Sequence, residues 1–521
     1  VNSPIRKVAA AVAVLFIAMF VNLNYVQVVK GSSYRDNPDN PRVLLAEYSS
    51  PRGQIVVQGS PIAQSVATND ALKYLRQYPH GPLYAPVTGF YSFIYGSSEL
   101  ESAVNSVLVG NDPRLFGRQL ADILTGRDPR GGSVVLTLNK AAQVAAYNGM
   151  RLPDGSFKAG AVVALDPSNG AILAAVSTPS YDPSLLSSHD ADKITAAWHR
   201  LLKDPSQPML NRAFNQLYPS GSVFKVIDSA AALKMGYTPN TVVPAPNAYW
   251  PLGGSGPCPA SHAAACIENF GGEQCENGKT ATLGFAFAKS CNTAFAQLAV
   301  EKIGGEALAT EASKFGFDTG GLSVPVPVAP STIGTAEDLA DKAALAQTAI
   351  GQRDVRMTPL QGAMIAAAVA NDGQLVTPYL VQQERGPNLS VIQGPPTPQV
   401  STVLDPTLDQ SLQQMMEGVV SAPEGTGGAA AITDIPGVVV GGKTGTADTG
   451  VTGTNGQPTP PHAWFCGFAL QNGLPKIAVA VLVENGGVNG SETTGGQAAA
   501  PIAKEVMEAY LRSIAGSPTG H

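Results

Sequence analysis

Tyr218-Pro219-Ser220-Gly221-Ser222-Val223-Phe224-Lys225 decides how the rest of this chain is read. Ser222 and Lys225 stand three residues apart at the start of an apolar run, so on a helix they share a face and an alcohol nucleophile acquires an adjacent amine base. Alone the spacing is weak: average residue usage yields a Ser-x-x-Lys about once or twice by chance in a chain this long, as a solvated helix turn. Downstream come Ser290-Cys291-Asn292 and Lys443-Thr444-Gly445-Thr446. A Lys-Thr-Gly has a chance rate of roughly one in ten at this length. Three such motifs, in this order, displace the bland reading.

Val223, Phe224, Val226, Ile227, Ala230, Ala231 and Leu233 predict a buried helix ending near Gly236, with Ser222 at its N-terminus. There the helix dipole favours developing negative charge, while burial of the next turn desolvates Lys225. A desolvated amine beside another cation works as a base near neutral pH, and Lys443 is the natural second cation. Ser290 and Asn292 fall in a turn between helical runs at 281–289 and 293–303. A hydroxyl there relays a proton, and an amide both donates to and accepts from a peptide backbone; outside the ordered set they would read as helix caps. No histidine stands near Ser222 in the sequence. His199 reads as a surface residue, and His462 precedes a strand near Lys443 without assigned chemistry.

The chain has 521 residues, 44% hydrophobic and 14% charged, which is a globular balance long enough for two to four domains. A net charge of −6 without basic, aromatic-interleaved runs argues against nucleic acid as a partner. Residues 8–29 carry no charge and lie between Arg6-Lys7 and Lys30, long enough for one membrane span. A cleaved leader would have a shorter apolar core and a small-residue cleavage site, so a retained anchor is expected. Arg6 and Lys7 favour an N-terminus in the cytoplasm and the rest of the chain outside, against Lys30 and Arg35 on the other flank, so this orientation rests in part on the resemblance described below. The cysteine spacings and scattered histidines fit no zinc site, and no cofactor is expected.

Residues 1–30 therefore read as cytoplasmic tip and anchor, 31–155 as a non-catalytic pedestal, and 156–521 as the catalytic domain. In the pedestal, strands are expected at 42–50, 54–58 and 133–138, an aromatic, turn-rich stretch at 84–91, and helices at 114–125 and 140–150. The second domain opens with apolar runs at 161–165 and 171–176 joined through Asn169-Gly170, a hairpin signal. Further strands at 437–440, 463–469 and 477–483 are apolar on both faces, which implies a sheet covered by helices on each side. A helix at 500–514 offers it an apolar face. Residues 425–428 and 448–461 read as loops, the second bordering the site.

The three motifs, with Lys158-Ala159-Gly160-Ala161-Val162-Val163-Ala164-Leu165-Asp166-Pro167, Met357-Thr358-Pro359-Leu360-Gln361 and Pro51-Arg52-Gly53-Gln54-Ile55, resemble the class B penicillin-binding proteins. Residues 84–92, 126–132 and Val483-Glu484-Asn485-Gly486 further resemble the actinobacterial type A branch of that family. The resemblance implies an α/β (α+β) fold: a serine acyl-transferase domain of the β-lactamase/transpeptidase type, with a five-stranded antiparallel sheet between helical layers, on a pedestal with dimerisation-like character. It implies a peptidoglycan D,D-transpeptidase, inhibited covalently by β-lactams. Ser222 would attack the penultimate D-alanine of a stem peptide and expel the terminal one, and Lys225 would take the serine proton. Ser290 and Lys443 would protonate the leaving amine, and Asn292 would hold the donor. Thr444, Gly445 and Thr446 would bind the terminal carboxylate, and the N–H groups of Ser222 and Thr446 would form the oxyanion hole. Stem peptides, β-lactams, a separate membrane glycan polymerase and other cell-wall machinery are the implied partners.

Cys291 stands where aspartate is common in β-lactamases. Cys275, in a Gly-rich loop before the helix that delivers Ser290, is expected to pair with Cys291, and Cys258 with Cys266, leaving Cys466 free. Pairing of Cys258 or Cys266 with Cys275 stays open as an alternative. A hydrolytic β-lactamase or carboxypeptidase is the runner-up; an anchor and an added module suit wall assembly better. A β-lactam sensor would need a signalling domain across the membrane, and only seven residues precede the span.

Overall fold

The computed structural model describes residues 2–30, 47–115, 130–255, 258, 265–453, 456–487 and 493–515. Helix α1 (Asn2–Asn24) is apolar from Val8 to Val21, and none of the other described residues buries that stretch. The apolar stretch Ser3–Gln27 is long enough for a ~30 Å hydrocarbon layer.

Next come strands β1 (Ile55–Val57), β2 (Ser60–Ala67) and β3 (Tyr74–Gln77), helix α2 (Gly81–Thr88), strand β4 (Ser133–Leu136) and helix α3 (Lys140–Gly149). The aromatic stretch expected to be a turn is thus largely helical: Pro82 sits in the first turn, where its missing N–H is harmless. Gly89 stops α2 at φ +66°, where a Cβ would lie 2.3 Å from the Ser98 carbonyl oxygen. Of the strand expected at 42–50, Glu47 and Tyr48 are helical and 42–46 lie outside the described residues, as does most of the helix expected at 114–125.

Strands β5 (Gly160–Leu165) and β6 (Ile172–Thr178) form the expected hairpin, every residue buried. Gly170 closes the turn at φ +79° with a Cβ position 2.5 Å from the Thr377 carbonyl oxygen, so no side chain fits. Helices α4 (Lys225–Lys234), α5 (Leu283–Ala288), α6 (Asn292–Leu298) and α7 (Pro359–Ala370) follow, then strands β7 (Val381–Arg385) and β8 (Val391–Gln393) and helix α8 (Pro406–Ser421). Strands β9 (Val438–Ala447), β10 (His462–Gln471) and β11 (Leu474–Val483) and helix α9 (Ala500–Ala515) complete the chain.

The sheet that follows residue 155 is five-stranded and antiparallel, in the order β9-β10-β11-β5-β6. Apolar residues on both faces require two cores. One contains α7, buried at all twelve positions, together with α4. The other contains α3 and the expected face of α9, Ile502, Val506, Met507, Tyr510 and Leu511.

A second sheet runs β8-β7-β4-β1-β2-β3. Its β4 pairs in parallel with β1, Ile55 opposite Val134, and antiparallel with β7, Val381 opposite Leu136. The chain therefore crosses the expected boundary at residue 155 in both directions: α3 packs in the catalytic core, and β7 and β8 complete the pedestal sheet. Beneath that sheet Glu101 accepts from Arg52 Nε and Arg76 Nε, both at 2.6 Å, and from the Tyr78 hydroxyl at 3.0 Å. Burial alone would raise the Glu101 carboxyl, but the two guanidiniums outweigh it and hold it below the ordinary range.

Candidate active site

The segment that carries Ser222 is fixed before its helix begins. Tyr218 exchanges both backbone hydrogen bonds with Met357, and Trp464 Nε1 donates to the Pro219 carbonyl at 2.9 Å. Gly221, at φ +52°, donates to the Gly351 carbonyl, and a Cβ there would lie 2.8 Å from the Thr446 carbonyl oxygen. That close approach sets β9 beside the serine. Ser222 lies in a 3₁₀ turn, Gly221–Phe224, which feeds α4 at Lys225.

Lys225 Nζ is fully buried and meets Ser222 Oγ at 3.0 Å, the Ser290 carbonyl at 2.9 Å, Asn292 Oδ1 at 2.7 Å and Ser290 Oγ at 3.3 Å. Ser290 turns the chain between α5 and α6 at φ +64°. Its hydroxyl accepts from Lys443 Nζ at 2.8 Å, so it lies between the two amines. Asn292, the first residue of α6, also donates to the Glu268 carbonyl at 3.0 Å. Its amide is therefore engaged within the protein, an arrangement that the motif alone did not suggest.

Lys443 lies within β9, opposite Cys466 on β10. Its ammonium also donates to the Thr444 carbonyl at 3.0 Å. Burial pushes the Lys443 amine down to about 7. Lys225 is driven well below the ordinary lysine value, first by burial and then by the like charge of Lys443, with Asp228 opposing. Phe295 and Phe287 lie 5.6 Å from the two amines.

A cavity of about 420 Å³ opens over these groups, lined by Ser222, Ser290, Asn292, Thr444 and Thr446. Gly445 sits between the two threonines, where a Cβ would approach the Ser220 carbonyl oxygen to 2.9 Å. The motif residues are thus brought to one place. Cys275 and Cys291 are joined, with Cα atoms 5.8 Å apart, at the edge of the cavity, and Cys258 is joined to Cys266. Cys466 is free and buried.

His199 is exposed. His462 is buried under the Tyr218 ring, its Nδ1 accepting from the Asn485 N–H at 3.2 Å, and burial lowers its pKa. Among the described residues, the loop at 423–426, rather than the one at 448–461, lines the cavity. It brings in Thr426, whose hydroxyl lies 2.6 Å from that of Thr444. Sequence reading missed Thr426, because Gly425-Thr426-Gly427 signals only a loop. It also missed Glu484, which accepts from Arg212 Nε at 2.8 Å and the Tyr218 hydroxyl at 2.6 Å and so steadies the approach to Ser222.

Residues 160–508 match the model of the penicillin binding protein transpeptidase domain, and residues 52–134 that of the penicillin binding protein A dimerisation domain. The chain is 46% identical over 513 residues to the peptidoglycan D,D-transpeptidase PbpA of Mycolicibacterium smegmatis, covering 98% of this chain and 99% of that protein. It is 45% identical over 511 residues to PbpA of Mycobacterium tuberculosis, with the same coverage. Penicillin-binding protein A from M. tuberculosis, solved as a ceftriaxone acyl-enzyme complex, superposes with a TM-score of 0.81 at 46% identity, over 90% of this chain and all of that one. With its motifs meeting in one cavity and its relatives matching end to end, the chain belongs to the penicillin-binding protein transpeptidase family.

Proposed function

We infer that Ser222 is the nucleophile through which this chain works, and that Lys225 is its base. The chain is a peptidoglycan D,D-transpeptidase, as the match over nearly its whole length to two such enzymes supports. The observation that carries the assignment of roles is the wiring of Lys225. Its partners at 2.9 and 2.7 Å, the Ser290 carbonyl and Asn292 Oδ1, can only accept. A neutral amine gives them its two N–H bonds and is left with one lone pair, facing the Ser222 hydroxyl 3.0 Å away. The depressed basicity of Lys225 keeps that neutral form available.

In the proposed reaction Ser222 adds to the carbonyl of the penultimate D-alanine as its proton moves to Lys225. The N–H groups of Ser222 and Thr446 receive the oxyanion, an effect worth roughly 10²–10³ in rate per donor. Ser290, between the two amines, passes a proton to the departing D-alanine, and an amine of a neighbouring stem peptide resolves the ester. Lys443, Thr444 and Thr446, with Gly445 between them, receive the donor's terminal carboxylate, and Asn292 positions Lys225 beside the bound peptide. β-Lactams acylate the same serine, as the acyl-enzyme complexes of the M. tuberculosis relative support.

The division into anchor (1–30), pedestal (31–155) and transpeptidase domain (156–521) is part of this proposal in outline, with α3 packing in the transpeptidase core and β7 and β8 in the pedestal sheet. The apolar N-terminal helix is consistent with a single-pass membrane anchor; an N-terminus inside, a catalytic domain outside and a separate glycan polymerase as partner are the finer reading. Intact-protein mass spectrometry after penicillin G treatment tests the core assignment. The wild-type chain should gain one drug mass and Ser222→Ala none; equal labelling of both would overturn it.

A further inference from the structure

Among the described residues two carboxylates line the catalytic cavity, Glu273 and Glu424. Glu273 is answered by Lys289, 2.5 Å away on the same wall. Glu424 forms no ion pair among the described residues. It stands on the turn after α8, and that turn is rigidly held. Ala422 donates to the Gly418 carbonyl at 3.0 Å, Gly425 to Ala422 at 2.9 Å and Gly427 to Val419 at 2.9 Å. Thr426 ties the turn to α5 through the Ala288 carbonyl and to β9 through Thr444. At Gly425 a Cβ would lie 2.4 Å from the Val419 carbonyl oxygen. The turn that carries Glu424 is therefore held beside Thr444 at the cavity wall.

The chemistry of resolution says what comes to that side. On the transpeptidase reading, on which this inference rests, an amine must reach the ester carbon from the direction in which the leaving amine departed. The acceptor thus occupies the leaving-group side, beside Thr444 and Thr446. It arrives as an ammonium ion, while the nearest buried charges, Lys225 and Lys443, are potential cations that repel it. We propose that Glu424 is the docking group for the acceptor ammonium and selects a primary amine over water.

The docked ammonium releases one proton to solvent at the cavity mouth. The neutral amine then forms the new C–N bond, the C–O bond to Ser222 breaks, and the second proton passes through Ser290 Oγ and Lys225 Nζ to Ser222 Oγ. Glu424 binds and steers; it takes no part in acylation.

The test uses the full chain in detergent, an acyl-D-alanyl thioester as donor and glycinamide as acceptor. Glu424→Gln should raise the KM for glycinamide about tenfold, the loss expected for one charge-assisted hydrogen bond. Penicillin acylation, thioester hydrolysis and the maximal transfer rate should stay unchanged, and Glu424→Asp should recover part of the affinity. An acceptor KM within twofold of wild type would overturn the proposal, as would an equal loss in penicillin acylation. Absence of any Ser222 adduct in the wild-type chain would instead sink the transpeptidase reading beneath it.

Discussion

Ser290 Oγ lies 2.8 Å from Lys443 Nζ, and this single contact joins the turn between α5 and α6 to the edge strand β9. Both ends are rigid, one in a left-handed turn and one in a paired strand.

The Lys443 amine is held near 7 against an ordinary 10.5. Between those values the unfolded chain binds more protons at this group than the folded one, so its contribution makes stability rise with pH from about 7 to 10.5. Lys225 adds in the same direction. Lys443→Met should flatten the dependence of the urea midpoint on pH over that range. Penicillin acylation should also weaken above pH 7 as the charge facing the carboxylate is lost, and an unchanged profile from pH 6 to 9 would contradict this.

Lys225→Ala removes the base while leaving Lys443 in place. Loss of one member of a coupled nucleophilic unit reaches roughly 10⁴-fold or more. Acylation should fall by that order with penicillin and with a thioester lacking a carboxylate. If Lys443→Ala abolished the thioester reaction and Lys225→Ala did not, the two roles would have to be exchanged.

Thr426 and Thr444 are hydroxyl neighbours at 2.6 Å. If Thr426 donates to Thr444, the Thr444 hydrogen is directed into the cavity, and a substrate carboxylate polarises the chain of two bonds. Thr426→Val should slow penicillin G acylation by roughly fivefold, consistent with about 1 kcal/mol for one hydrogen bond, whereas Thr426→Ser should be close to wild type in stopped-flow measurements.

The Cys275–Cys291 bond closes a loop with a sequence separation of 16. Replacing both by alanine should cost roughly 3 kcal/mol of stability through chain entropy. It should also slow acylation, because Cys291 immediately precedes Asn292 at the start of α6. Denaturant midpoints and labelling rates of the double variant check both; a stable variant with slow labelling would separate positioning from folding.

The motif residues were legible because chemistry restricts them: an alcohol and an amine one helical turn apart have few other uses together. The central strands were legible because both faces are apolar. The strand β9 was not read through its motif, since Gly441, Gly442 and Gly445 argue against a strand. Yet a Cβ on Gly441 or Gly442 would lie 2.4 Å from the ring of Phe468 or Phe465, so those glycines serve packing within the sheet. Helix α2 was hidden by its prolines. Glu424 and Thr426 were hidden because a loop's composition does not reveal the cavity it faces.

The sheet that receives β7 and β8 sets an order of events in time. As the chain is made from its N-terminus, β1 to β4 emerge early, but the strand that pairs with β4 on its other side arrives only after the first half of the catalytic domain. Until then β4 carries a bare edge, open to wrong pairing. The two sheets must therefore mature together, and a nascent chain stalled before residue 381 would be left with an unfinished sheet.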